Sequence, residues 1–260
     1  MNKNESRLAI LTGVVLLSAG CLMFCLMLPV YHPEIVTLKF TVGILLLVVN
    51  GITAFCLQIW RSIRFTRRLL YFGSVKSPPQ LHKLVVELDL DSSRIIVLPT
   101  EEAFALCFGF FKPRICLSTG MINLLSEAQL KATLLHEDYH RQWFDPLRIL
   151  IAETISKTFF FLPVIQEWYA RFTTRMELDA DQYAIEKVGK AALAGALHRL
   201  LTVSTPQTVF IQGIAVVGFT VAKERVAALL GDRSFSYQIS LRSTIYSLAV
   251  LVSIGLLIYL

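Results

Sequence analysis

The sequence predicts a mainly α-helical membrane protein, with transmembrane helices flanking one mixed α+β domain that carries a small β-hairpin sheet. Three observations lead there. Of the 260 residues, 55% are hydrophobic and only 17% are charged, against about 25% charged in an ordinary soluble domain. Long uncharged apolar runs stand at both ends of the chain. Between them, helical periodicity alternates with short apolar strands and turn residues. The same figures exclude a disordered chain, a collagen-like repeat and a disulfide-stapled module.

Leu8–Val30 and Phe40–Trp60 each hold the roughly 20 apolar residues that a helix needs to cross a hydrocarbon core of about 30 Å. Ser243–Leu260 is shorter and forms the expected last span. The first run has Lys3 and Arg7 ahead of it, and Leu17-Ser18-Ala19-Gly20-Cys21 resembles a lipoprotein processing site. Its apolar stretch continues beyond Cys21 without a polar tether, so it is read as a retained anchor. Tyr31-His32-Pro33-Glu34 carries no Lys or Arg, whereas Arg61, Arg64, Arg67, Arg68 and Lys76 follow the second span. Positive charge near span ends stays in the cytoplasm, which puts the N-terminus and the domain after Trp60 on that side. The net charge of +6 is thereby a topology signal beside anionic lipid, and no direct nucleic-acid partner is expected.

The domain is expected over residues 70–240. Gln80–Leu90 is amphipathic, with Leu81, Leu84, Val85 and Leu88 on one face. Ile95–Leu98 reads as a strand ended by Pro99. Phe104–Phe111 and Arg114–Ser118 read as two strands turning at Lys112-Pro113. Met121–Leu125 leads to Ser126, an N-cap for a helix that runs past His140. From there the chain is helical by pattern, with breaks at Gly189, Pro206, Gly213 and Gly231. Leu147–Ile165 and Thr202–Ala222 are apolar but interrupted, and are expected to lie at the interface or against the spans. Cys21, Cys25 and Cys56 fall in spans, Cys107 and Cys116 in the domain. None makes a CxxC pair, and a reducing compartment makes all five free thiols.

The chemistry is carried by His136-Glu137-Asp138-Tyr139-His140, an HExxH pattern inside the helix predicted after Ser126. Residues i and i+4 share a helical face, so both imidazoles can reach one metal. Glu137, one position round, has its carboxylate beside that metal rather than on it, where a general base belongs. Downstream, Glu177 and Asp181 stand at i and i+4. A catalytic zinc takes three protein ligands and leaves one position open. Glu177 can be the third ligand, and Asp181 can fix the tautomer of a liganding histidine. One Zn2+ per chain is the expected cofactor. Both ligand sets must lie on one side of the membrane, and the 36 residues between His140 and Glu177 are too few for two crossings. Leu147–Ile165 therefore does not span.

The block from about Gln80 to Ala184 resembles the integral-membrane zinc metallopeptidases that include the bacterial beta-lactam-sensing signal transducers. The matching residues are Gly109-Phe110-Phe111-Lys112-Pro113-Arg114-Ile115, Leu117-Ser118-Thr119-Gly120, the HEDYH helix, Asp145-Pro146-Leu147 and Glu177–Ala184. Prenyl-protein-protease-like membrane peptidases share HExxH and the later ExxxD, but usually place membrane helices between them. The resemblance implies a zincin-like domain of the gluzincin type at the cytoplasmic face of a bacterial plasma membrane. His136, His140 and Glu177 would be its zinc ligands and Glu137 its base. It also implies site-limited cleavage of a protein substrate, a repressor or the enzyme itself, paired along the strand near Phe104–Phe111. The sensors carry more spans ahead of the domain and an extracellular penicillin-binding domain after it, so the expectation here is a transducer-type peptidase lacking that sensor. Asp138 replaces a residue more often apolar in the family and should point away from the metal. Tyr183, His198 and Arg225 are the candidate oxyanion stabilisers. The alternative is a zinc-binding membrane regulator or scaffold that cleaves nothing. Retention of Glu137 and an open coordination position argue for hydrolysis.

Overall fold

The computed structural model describes residues 38–71, 73–203, 224–231 and 238–259. The first expected span, the loop after it, Cys21 and Cys25, and nearly all of Thr202–Ala222 lie outside the described residues. Two units emerge, one of residues 1–49 with 249–260 and one of Asn50–Leu248. In the first, the described residues are the start of helix α1 (Leu38–Tyr71) and the end of the last helix, α9 (Leu241–Tyr259). The second contains everything between.

Described residues are mainly helical around one three-stranded sheet. After α1 come α2 (Pro79–Glu87), a 3-10 turn (Ser92–Arg94), β1 (Ile95–Leu98), β2 (Ala105–Phe108) and β3 (Arg114–Ser118). Helices follow: α3 (Thr119–Leu124), α4 (Glu127–Gln142), α5 (Asp145–Thr158), α6 (Pro163–Val188) and α7 (Lys190–Val203). Residues 224–230 form a short helix, α8, ahead of α9. β3 is central, parallel to β1 (Ile95 opposite Ile115) and antiparallel to β2 (Ala105 opposite Leu117). The hairpin expected around Lys112-Pro113 is present. β2 ends at Phe108 rather than Phe111 because Gly109 turns to φ 92°, a conformation that costs glycine nothing.

Strand alternation divides the apolar residues between two layers. Val97, Ile115 and Leu117 face one way, into a core with Leu81 and Leu84 of α2, Met121 and Ile122 of α3, and Leu130 and Leu134 of α4. Leu98, Cys116, Phe104 and Phe108 face the other way, against Leu69 and Phe65 of α1. That second layer explains why α1 does not stop at Trp60. The 34-residue helix is about 51 Å long, more than a bilayer needs, and its last two turns are the back wall of the sheet. Phe40–Tyr71 is the described helix long and apolar enough to cross a membrane; α9 is a shorter apolar helix.

α4 starts where Ser126 predicts. The Ser126 hydroxyl accepts from Gln129 N–H, and the Gln129 side chain accepts from Ser126 N–H, a complete capping box. Leu147–Ile165 is not one continuous helix: it is divided between the 14-residue α5, the turn after it and the first turn of α6. Gly120 is required by space rather than by dihedral angle. Its N–H donates to Thr100 O at 2.8 Å, and a Cβ there would stand 2.0 Å from Glu101 O. Gly120→Ala should therefore unseat the β1–β2 loop and cost several kcal/mol, at the upper end of point-mutant effects. Gly43→Ala, with nothing within 4 Å, should leave the melting temperature in detergent within 1–2 degrees of wild type, roughly.

Candidate metal centre

The i, i+4 spacing on α4 brings His136 and His140 together edge to face, with ring centroids 4.7 Å apart and Nε2 atoms 3.1 Å apart. α6 crosses this face and delivers Glu177. One of its carboxylate oxygens lies 3.4 Å from Nε2 of His136 and the other 3.6 Å from Nε2 of His140. All three side chains are buried or nearly so. His136, His140 and Glu177 are thus positioned to bind a metal ion.

Two further carboxylates sit behind the histidines. Asp145 Oδ2 is hydrogen-bonded to Nδ1 of His140 at 2.7 Å. Asp181 Oδ1 lies 2.9 Å from Nδ1 of His136, off the line of the ring N–H. A carboxylate at Nδ1 holds the proton there and turns the Nε2 lone pair inward. Both Nε2 atoms then converge on Glu177, and the contacts of 3.1–3.6 Å among these two nitrogens and the two Glu177 oxygens crowd electron pairs that a metal ion, or a proton in its place, relieves. Tetrahedral ligands about 2.0–2.1 Å from zinc stand roughly 3.3 Å apart. The donor set of two imidazoles and one carboxylate fits zinc in both chemistry and spacing.

Arginines hold the carboxylates in turn. Arg225 of α8 grips Asp181 with two bonds, at 2.8 and 2.7 Å, and reaches Glu177 at 3.2 Å. Arg148 of α5 donates to Asp145 at 2.5 Å and lies over the ring of Phe172. Burial and Arg225 push the His136 imidazolium down, and Asp181 and Glu177 more than reverse this, raising its pKa to about 9. Burial raises Glu137 above the usual carboxylate range, against the pull of the two histidines. Glu177 is held well below that range: burial opposes its charge, but the His136 hydrogen bond and the neighbouring positive groups win.

Sequence reasoning brought His136, His140, Glu137, Glu177 and Asp181 to one place, and the structure assembles all five there. Of the candidate oxyanion stabilisers, Arg225 is at the site with its guanidinium committed to Asp181 and Glu177. Tyr183 lies 3.4 Å from the Gln142 amide, beside Tyr139. His198 is on an exposed face of α7. Asp138 is fully buried and bound by Arg141 and Gln142. Asp145 and Arg148 were missed. Asp145 follows the end of α4 and reaches back only because Phe144 adopts a left-handed conformation, φ 53° and ψ 38°, which no periodicity foretells. Its Asp-Pro start of a new helix was the one visible signal.

A profile of the BlaR1 peptidase M56 family matches residues 29–229. The chain belongs to that family. It is a family of membrane metallopeptidases, and the apolar α1 agrees with a membrane location. A protease HtpX homolog of Aquifex aeolicus (strain VF5) is 28% identical over 180 residues, covering 65% of this chain and 57% of the relative. The chain thus spans just over half the length of that relative.

Two outcomes test the centre. Against the burial that opposes their charge, both imidazoles are held above the ordinary histidine range without metal, His136 by Asp181 and Glu177 to about 9 and His140 by Asp145 and Glu177, and a metal requires the neutral rings. Zinc binding at pH 7 should release at least about one proton, seen as a binding enthalpy that varies with buffer ionisation enthalpy, and the His136 share of the release should fade above pH 9. Asp145→Asn, which keeps the shape but weakens the hold on His140, should lower zinc affinity 10–100-fold in a competitive chelator titration.

Proposed function

We propose that this chain is a membrane-embedded zinc metalloendopeptidase that cuts a protein substrate at a limited site on the cytoplasmic face of a bacterial plasma membrane. One observation carries the reading: the converging His136, His140 and Glu177 donors have beside them a buried carboxylate, Glu137, that feels all three electrostatically and is not one of the metal-binding set. His136, His140 and Glu177 would hold the zinc, which when bound supplies a Lewis acid that polarises the scissile carbonyl and acidifies the attacking water.

The chain's own groups do the rest. Glu137 takes a proton from the attacking water and delivers it to the leaving amine; its burial raises its affinity for that proton above that of an exposed carboxylate. Asp145 and Asp181 keep both imidazoles in the Nδ1–H tautomer. Arg225 keeps Asp181 and Glu177 charged.

The strand beside α4 suits an extended peptide. Ser118 N–H donates to Phe104 O, which makes Phe104, Leu106 and Phe108 the bonded positions against β3 and leaves the Ala105 and Cys107 backbone groups on the outer side. β2 is an edge of the sheet. At the other edge, Val75 N–H already bonds Val97 O. A substrate adding to β2 gains main-chain hydrogen bonds there.

Cytoplasmic placement rests on charge. Arg61, Arg64, Arg67 and Arg68 occupy the part of α1 beyond Trp60, with Arg64 stacked on the Trp60 ring at 5.2 Å. Trp at an interface with Arg just past it is the pattern of a cytoplasmic span end. The relative's description as a protease supports hydrolysis of protein; a repressor or the enzyme itself are the substrates in view.

Glu137→Gln should keep the melting temperature and about one zinc per chain while cutting peptide hydrolysis by 10³-fold or more, as expected for loss of an activating base. The check is turnover of a fluorogenic peptide library in detergent, with metal content measured on the same samples. No turnover in either with zinc bound would favour the regulator reading, and equal turnover in both would remove Glu137 from the role of base.

A further inference from the structure

The apolar run at 159–165 has no role in the metal centre, yet its surroundings are unusual. α5 and α6 form a hairpin whose tip is Phe159-Phe160-Phe161-Leu162, and Phe160 is 69% exposed. Asn50 of α1 donates from its side-chain amide to the last carbonyls of α5, Lys157 O at 3.2 Å and Thr158 O at 3.3 Å. Next to it, Gly51 lets the helices close up: a Cβ there would be 3.1 Å from the Thr158 hydroxyl. On the other arm, Val164 N–H of α6 donates to the Ser247 hydroxyl of α9 at 2.9 Å.

Asn50 is ten residues from each end of the apolar run Phe40–Trp60. At about 1.5 Å per residue it lies roughly 15 Å in from Trp60, near the middle of a hydrocarbon core about 30 Å thick. A hairpin tip bonded to Asn50 is at the same depth. Ser247, seven residues after the Ser240 cap of α9, gives a similar depth of about 10 Å. We propose that the α5–α6 hairpin is re-entrant: it enters the bilayer from the side of the domain and holds its Phe159–Leu162 tip in the acyl-chain region.

Polar groups along the hairpin behave as lipid requires, where each must find a partner inside the protein. Ser156 and Gln166 bond each other twice at 2.8 Å across the two arms. Lys157 pairs with Glu153 one turn back, and because helical side chains lean towards the N-terminus its amine points to the headgroups. Glu167 accepts from Ser240 N–H and hydroxyl, from the Ser243 hydroxyl and from Arg171. The backbone groups freed where α5 ends and α6 begins are the ones that Asn50 and Ser247 satisfy. A hairpin tip in water would need none of this.

The hairpin also sets the height of the metal centre. Asp145 is thirteen residues from the α5 end and Glu177 fourteen from the α6 start, so both stand about 20 Å from the tip for helices along the membrane normal. That puts the centre roughly 5–10 Å outside the hydrocarbon edge, within reach of chain segments lying on or just leaving the membrane.

The test is photocrosslinking of the full chain in phosphatidylcholine–phosphatidylglycerol vesicles, with p-benzoylphenylalanine replacing Phe160. Leu45, exposed in the apolar run of α1, and Val86, exposed on α2, are the reference positions. Position 160 should yield acyl-chain adducts at a level within about threefold of position 45, with attachment in the distal half of the chain, and position 86 should yield none. Adducts at 45 but none at 160, attachment at 160 confined to the headgroup and glycerol, or crosslinks at 160 only to protein would each overturn the proposal. The readout needs no turnover, so the peptidase reading stands or falls separately.

Discussion

Three metal-binding side chains are buried with contacts of 3.1–3.6 Å between them, and the rest of the domain is arranged to keep them there. His136 and His140 cannot separate because α4 fixes them one turn apart. Glu177 cannot retreat because α6 is packed across α4 and Arg225 holds its carboxylate from the far side. The arginine–carboxylate pairs around the histidines are costly to bury and add little net stability by themselves. Their effect is on direction: each carboxylate fixes one ring nitrogen, and each arginine fixes one carboxylate.

α4 illustrates how such a helix is tolerated. From Leu130 to His140 it has hardly a solvent-facing residue, so its charged members need partners from elsewhere. Asp138 finds Arg141 and Gln142 on the next turn, His140 finds Asp145 across the Phe144 reversal, and His136 finds Asp181 on α6. The apolar members, Leu130 and Leu134, join the sheet core, and Ala132 and Leu135 join α6, α7 and α8. One helix is thereby both the floor of the core and the carrier of the chemistry, with Glu137 kept in surroundings dry enough to raise its proton affinity.

α1 binds the domain to the membrane by two kinds of contact on one helical stripe. Near its middle, Asn50 and Gly51 meet the end of α5 through hydrogen bonds and close approach; at its far end, Phe65 and Leu69 meet the back of the sheet through apolar packing. Within the Asn50–Leu248 unit, the metal centre is thereby joined to α1 along α5, which leads directly to Asp145, and again through β3 and α4.

The sequence by itself determined the elements and the chemistry that depend on neighbours along the chain. Periodicity gave α2 and α4, Ser126 gave the start of α4, Gly-Phe-Phe-Lys-Pro gave the hairpin, and the i, i+4 spacings gave His136–His140 and Glu177–Asp181 as facing pairs. These rest on local geometry, which a sequence encodes directly. Tertiary structure alone decided which carboxylate serves which histidine, because Asp145 reaches His140 through a left-handed turn and Asp181 reaches His136 across a helix crossing. It also decided that Arg225 clamps carboxylates rather than facing an open site, and that α1 runs on past Trp60 to cover the sheet. Each of these depends on where a distant segment comes to rest, and apolar burial and buried charge settle that only when the whole chain packs.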